Sequence, residues 1–96
     1  MTIEYHMIGE VGTEIVVDTG SDISSVLEVS IKVQKPDNTE VVWDATVFEN
    51  RYIVHVTEST DFDQAGFYML HSYLKFESWE GLGEAAKIRI SPLFGY

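Results

Sequence analysis

The sequence predicts an all-β domain, a sandwich or small barrel of seven or eight short strands, and three observations predict it. Alternation of apolar and polar residues at period two recurs in nearly every segment, whereas no helical spacing of i, i+3, i+4, i+7 persists anywhere. A turn signal separates the segments at intervals of roughly 8 to 12 residues. At 96 residues the chain suffices for one core, and two domains would each be too small to hold one.

Tyr5 to Ile8 reads as a short strand closed by Gly9, and Glu14 to Asp18 as a second, ended by the turn-forming cluster Thr19-Gly20-Ser21-Asp22. Leu27, Val29, Ile31 and Val33 interleave with Glu28, Ser30, Lys32 and Gln34. Successive strand side chains point to opposite faces, so one face of this strand is core and the other wet. Pro36-Asp37-Asn38-Thr39 is a hairpin turn, because proline presets φ while Asp and Asn tolerate the positions after it. The returning strand runs from Glu40 to about Phe48, with Val41, Trp43, Ala45 and Val47 on the expected core face and Asp44 and Thr46 outside. After the turn Glu49-Asn50, Arg51 to Thr57 carries Tyr52, Val54 and Val56 on one face and Arg51, Ile53 and His55 on the other.

A polar link, Glu58 to Gln64, leads to a long strand from Gly66 to about Glu77 with large side chains on both faces. Tyr68, Leu70, Leu74 and Phe76 lie opposite Phe67, Met69, His71 and Tyr73, so the strand is central or offers one face to a partner. Ser78-Trp79-Glu80-Gly81-Leu82-Gly83 reads as a turn, and Glu84 to Ser91 as the closing strand, with Ala86, Ile88 and Ile90 inward and Pro92 ending it. With no internal repeat, linker or low-complexity tract, residues 1–96 form a single domain.

Composition narrows the function. Sixteen acidic against six basic side chains give a formal net charge of -10, and the six (Lys32, Lys35, Arg51, Lys75, Lys87, Arg89) are scattered. Nucleic-acid binding needs a basic stripe, which these cannot assemble, so no nucleic-acid partner is expected. The acidity serves either as a solvated surface or as a field that steers a partner. Apolar runs such as Ile15-Val16-Val17 are far shorter than the roughly 20 residues a membrane helix needs, and no membrane partner is expected. The absence of cysteine removes disulfides, thiolate metal sites and cysteine nucleophiles. Met1-Thr2-Ile3-Glu4-Tyr5-His6 lacks the basic and apolar regions of a secretion signal, which points to synthesis in a cytoplasm.

Candidate chemistry is sparse. His6, His55 and His71 stand in three different segments, and a metal site or acid/base pair would require them to converge. Half-exposed positions on strand faces are the expectation, with His55 and His71 sharing a face as a conceivable pH sensor. Asp61 with Asp63, and Asp18 with Asp22, are too sparse for a calcium loop and read as turn caps. Serine-nucleophile and phosphate-loop motifs are absent, so no catalytic residue, cofactor site or metal site is assigned and the chain is not expected to be an enzyme.

More informative is Asp63-Gln64-Ala65-Gly66-Phe67-Tyr68, an acidic residue and Ala-Gly leading through aromatics into the long strand. Many sandwich domains enter their penultimate strand this way, with a tyrosine pinning the corner to backbone. Tyr68, with Phe67 as the alternative, and Gly66 are therefore expected to be structural, as is Trp43, the central core aromatic of an immunoglobulin-like antiparallel β-sandwich. Trp79, in a hairpin turn, either covers the end of the sandwich or anchors a partner. The apolar tail Leu93-Phe94-Gly95-Tyr96 tucks back or docks on a neighbour. Expected partner-binding residues are thus Trp79, Leu93, Phe94, Tyr96 and Tyr73.

The order of motifs resembles a family of small phage and prophage proteins with an immunoglobulin-like fold that act as virion accessory domains. The matching stretches are Val17 to Ser24, Ile31 to Glu40, Trp43 to Val47, Asp61 to Tyr68 and Trp79 to Glu84, together most of the chain. The chain is similar in the same way to the N-terminal immunoglobulin-like domain of phage baseplate upper proteins. The resemblance implies a structural part of a bacteriophage particle, as capsid decoration or at the neck or tail, without catalytic residue or cofactor. It implies contacts with other virion proteins and with copies of itself. An alternative is a carbohydrate- or host-surface-binding module, in which exposed Trp79, Tyr73 and Tyr96 stack on the rings of a surface glycan.

Overall fold

A computed structural model describes residues 5–92. Its eight strands are β1 (Tyr5–Met7), β2 (Glu14–Asp18), β3 (Glu28–Gln34), β4 (Glu40–Asp44), β5 (Thr46–Phe48), β6 (Tyr52–Val56), β7 (Gly66–Lys75) and β8 (Glu80–Ser91). They form a five-stranded sheet in the order β1-β8-β7-β3-β4 and a three-stranded sheet in the order β2-β6-β5. This two-sheet arrangement is the immunoglobulin-like sandwich, with β2-β6-β5 facing β8-β7-β3. One pairing departs from the expected antiparallel pattern. β1 runs parallel to β8, with His6 opposite Ile90, because the chain enters along the edge of one sheet before crossing to the other as β2.

Both sheets contribute to one core. Ile15 and Val17 from β2 and Ile53 from β6 meet Ile31 and Val33 of β3, Trp43 of β4, Tyr68, Leu70 and Leu74 of β7, and Ile88 and Ile90 of β8. Trp43 is buried and sits among aromatic rings, stacked on His55 at 4.7 Å and edge-on to Phe62 at 5.7 Å. β7 is central in its sheet, flanked by β3 and β8; Tyr68, Leu70 and Leu74 on its inner face are core, while Phe67 on its outer face is 53% exposed.

Several expectations are corrected. The segment from Glu40 to Phe48 is two strands, because the chain leaves the five-stranded sheet at Ala45 and joins the three-stranded one. Val47 therefore lies at a sheet margin and is 39% exposed instead of core. Leu27 precedes β3 and is also exposed, so the core alternation begins at Val29. The turn expected over Ser78 to Gly83 shrinks to Glu77-Ser78, closed by the Phe76 N–H donating to the Trp79 carbonyl at 2.6 Å, and Glu80 to Gly83 belong to β8. Its two glycines do not break the strand. Gly81 leaves room for the Trp79 ring, which a Cβ would meet at 2.7 Å, and Gly83 lies at a register shift where a Cβ would overlap the Ser72 hydroxyl.

The turns follow their residues. Glu49 and Asn50 both have positive φ, 52° and 55°, as a two-residue hairpin in a right-twisted ribbon demands. The Pro36 turn is closed by Asn38 N–H donating to the Lys35 carbonyl at 2.8 Å, with Asn38 at φ 71°. The link from Glu58 to Gln64 is not merely polar, because Phe62 is fully buried and plugs one end of the sandwich against Trp43, Tyr68 and His6. Burying such a ring contributes about 2–3 kcal/mol.

Candidate interaction surface

The residues expected to hold the corner together do so through contacts that can be named. Tyr68 is fully buried, and its hydroxyl accepts from the Gln64 N–H at 3.1 Å and donates to Asp63 Oδ1 at 3.4 Å. Burial raises the Tyr68 pKa above its ordinary value. Gly66, at φ 127°, lies against Pro36, and a Cβ there would sit 2.9 Å from the proline ring. Lys35 Nζ reaches Asp63 at 2.8 Å and the Asp37 N–H reaches Gln64 at 3.2 Å, so the β6–β7 link is tied to the β3–β4 turn.

Of the residues expected to dock a partner, Trp79 is 54% exposed at the β7–β8 hairpin. Its ring lies back over Gly81 and beside Phe76, 6.1 Å between centroids, so it both covers the sandwich end and presents an open surface. Tyr73 is half-buried on the outer face of β7, its hydroxyl bonded to Glu80, which raises its pKa, and its ring 5.3 Å from Lys32 Nζ. Leu93, Phe94 and Tyr96 lie outside the described residues.

The three histidines take up separate duties. His6 Nδ1 lies 3.1 Å from Glu10, which also accepts from Thr13 and from the Met7 N–H. Burial works against the Glu10 charge, but the Thr13 hydroxyl, the Met7 N–H and His6 together hold its pKa below the ordinary value. His71, on the outer face of β7, has Nδ1 3.0 Å from the Gly83 carbonyl oxygen. His55 overturns the expectation of a half-exposed strand face: it points into the core from the other sheet and is 4% exposed. His55 and His71 therefore do not share a face.

His55 is buried because both ring nitrogens are satisfied. Nδ1 lies 2.7 Å from the Asp44 carbonyl oxygen, and Nε2 lies 2.7 Å from Asp61 Oδ2, which also accepts from the Glu58 N–H at 2.8 Å. A carbonyl can only accept, so Nδ1 donates, and one proton is held between Nε2 and Oδ2. Asp61 is thus more than a turn cap: it anchors the β6–β7 link to the core. Asp18 and Asp22 cap their turns through the Gly20 and Ser24 N–H groups, both at 2.8 Å. Among the described residues, no group of three or more His, Asp or Glu side chains could hold a metal ion.

The sequence reading missed the outer face of the three-stranded sheet. Register places Val16 opposite Val54 and Val54 opposite Thr46, with Tyr52 between Asp18 and Phe48, and Glu14 opposite Val56. Val16, Phe48 and Val56 are each more than half exposed, and Phe48 and Tyr52 lie 6.3 Å apart between ring centroids. The outcome is a contiguous apolar patch where a solvated sheet face would carry polar side chains. Carboxylates border it: Glu14 and Glu49 beside the hollow at Val16 and Phe48, Asp44 and Glu58 beside the hollow at Val54 and Val56. Among the described residues Arg51 is the one basic side chain of this sheet and its hairpin turn, and it is committed to Asp18 by two bonds of 2.8 and 3.1 Å. That bond holds the Asp18 pKa below its ordinary value. The other five basic residues lie on β3, β7 and β8 or in the β3–β4 turn. A signal for this face was present in Ile15-Val16-Val17 and in Tyr52 to Val56, where both faces of a strand are apolar.

No protein-family model, no curated protein and no solved structure matches this chain.

Proposed function

We propose that this domain is a non-enzymatic structural or accessory protein of a bacteriophage particle, placed as capsid decoration or at the neck or tail, and that it acts through protein–protein contacts. The exposed apolar face of β2, β6 and β5 carries the binding part of this reading, because a soluble domain rarely leaves such a patch open unless a partner covers it. The phage part rests on the order of motifs along the sequence, from Val17 to Ser24 through Trp79 to Glu84. Mass spectrometry of gradient-purified particles tests it. The chain is expected among the particle proteins at a stoichiometry set by particle symmetry, and its absence from particles that carry its gene overturns the reading.

Binding to a host-surface glycan is a second reading, favoured by the open indole surface of Trp79 with the carboxylates Glu77 and Glu80 nearby. A glycan array tests it. Binding abolished by Trp79→Ala supports this reading, and an empty array or an unaffected variant removes it.

A further inference from the structure

We infer that the outer face of the three-stranded sheet docks on a different protein whose surface presents apolar side chains ringed by Lys and Arg, and not on a second copy of this chain. The inference rests on the reading of the domain as a partner-binding module and adds the face used and the chemistry of the partner. Val16, Val54 and Val56 form the apolar centre, and Phe48 with Tyr52 extends it to the β5 edge. An isolated sheet face this apolar is stabilised by covering it, since removing apolar surface from water is favourable in proportion to its area.

Charge selects the occupant. Glu14, Asp44, Glu49 and Glu58 border the patch, and Arg51 is offset by Asp18. Two copies packed by this face would bring acidic rims together on chains that each carry a net charge of -10. Like charges brought together across an interface act as a barrier to the wrong partner, whereas a basic rim would be drawn in. The opposite sheet is unlike this one. Val42, Phe67 and Leu82 are exposed there too, but they stand among Lys32, Lys75, Lys87 and Arg89, with Lys75 3.6 Å from Glu28 and Lys87 over the Phe67 ring at 4.8 Å, so that face is mixed in sign and lacks an acidic rim.

The experiment places a photo-crosslinking amino acid at Val54 of the full chain, made in cells producing the particles, with the same probe at Lys32 on the other sheet as control. Val54 should give an adduct with a different protein, joined at a segment carrying Lys or Arg beside apolar residues. Raising salt from about 0.1 to about 1 M, which shortens the screening length from about 10 to about 3 Å, should reduce the yield several-fold. The double variant Glu14→Lys, Glu49→Lys alters only exposed side chains, and its folding is checked by circular dichroism. It should lower the yield about tenfold or more. No adduct at Val54, an adduct with a second copy, an adduct with a different protein joined at a segment without Lys or Arg, or a yield indifferent to salt and charge reversal overturns the inference. Particle proteomics on the same cells separates the two claims. The chain in particles without a Val54 adduct defeats only this face, and a charge-sensitive Val54 adduct with the chain missing from particles defeats only the virion reading.

Discussion

Replacing Asp61 by alanine should destabilise the domain by about 2–3 kcal/mol, and the structure says why. Asp61 Oδ2 meets His55 Nε2 at 2.7 Å beneath a side chain that is only 12% exposed, and the same oxygen accepts from the Glu58 N–H. Alanine strands the imidazole, which is 4% exposed and stacked on Trp43, without its second acceptor, while the Glu58 N–H can turn to water. Leaving one partner of a buried, charge-assisted hydrogen bond unpaired costs about 1.5–3 kcal/mol, and more where a full charge remains. Asparagine should cost less but not nothing, because one amide atom cannot accept from Glu58 and also donate to a neutral Nε2. Urea unfolding at constant m-value is the assay, with melting lowered by roughly 10–20 °C for a domain of this size. In a His55→Phe background, where the aromatic stack on Trp43 remains but nothing is stranded, Asp61→Ala should cost at least about 1 kcal/mol less. A cost for Asp61→Ala below about 0.5 kcal/mol, or an equal cost in both backgrounds, would refute the argument.

Tyr68→Phe removes the acceptor of the Gln64 N–H and should cost about 1–1.5 kcal/mol by urea unfolding, with the fold unchanged by circular dichroism. Gly66→Ala adds a Cβ 2.9 Å from Pro36 at a φ of 127°, and should cost about 2 kcal/mol or more in the same assay. Trp79→Ala removes a ring that packs over Gly81 and Phe76 yet is 54% exposed, and should cost about 1–2 kcal/mol by urea unfolding with the fold unchanged by circular dichroism, so that it still serves as the glycan control. Glu10 is held below its ordinary pKa of 4.5, so the stability it contributes is present above that value and lost as pH falls through the lower folded value. The difference in stability between wild type and Glu10→Gln should therefore be constant near neutrality and close progressively below about pH 4.5, and a gap that stays open in acid would contradict this.

The strands were legible because their signals are local. Ile31 and Val33 alternate with Lys32 and Gln34, and Pro36 to Thr39 carries its own turn geometry, so β3, the start of β4 and their hairpin could be placed without knowing the rest of the fold. The corner tyrosine was legible for the same reason, since Tyr68 bonds a backbone group only four residues away. What escaped depends on which sheet a strand joins. The switch at Ala45 leaves no local mark, so Val47 continued the core pattern in sequence while the structure puts it at a margin. His55 looks like a polar strand residue until Asp61 and the Asp44 carbonyl are brought to its ring, and Phe62 looks like a lone aromatic in a polar link until the sandwich end opens for it. The apolar outer face was hidden in the same way, because Val16, Val54 and Phe48 become neighbours only through strand pairing.

Carboxyl footprinting compares the chain inside purified particles with the same chain released from them, reading each Glu and Asp by mass spectrometry. Glu14 and Glu49, which border the apolar face, should lose most of their labelling in the particle, while Glu40 and Glu77 on the other sheet and its hairpin keep theirs. Equal labelling of all four in both states, or protection confined to Glu40 and Glu77, would contradict this expectation.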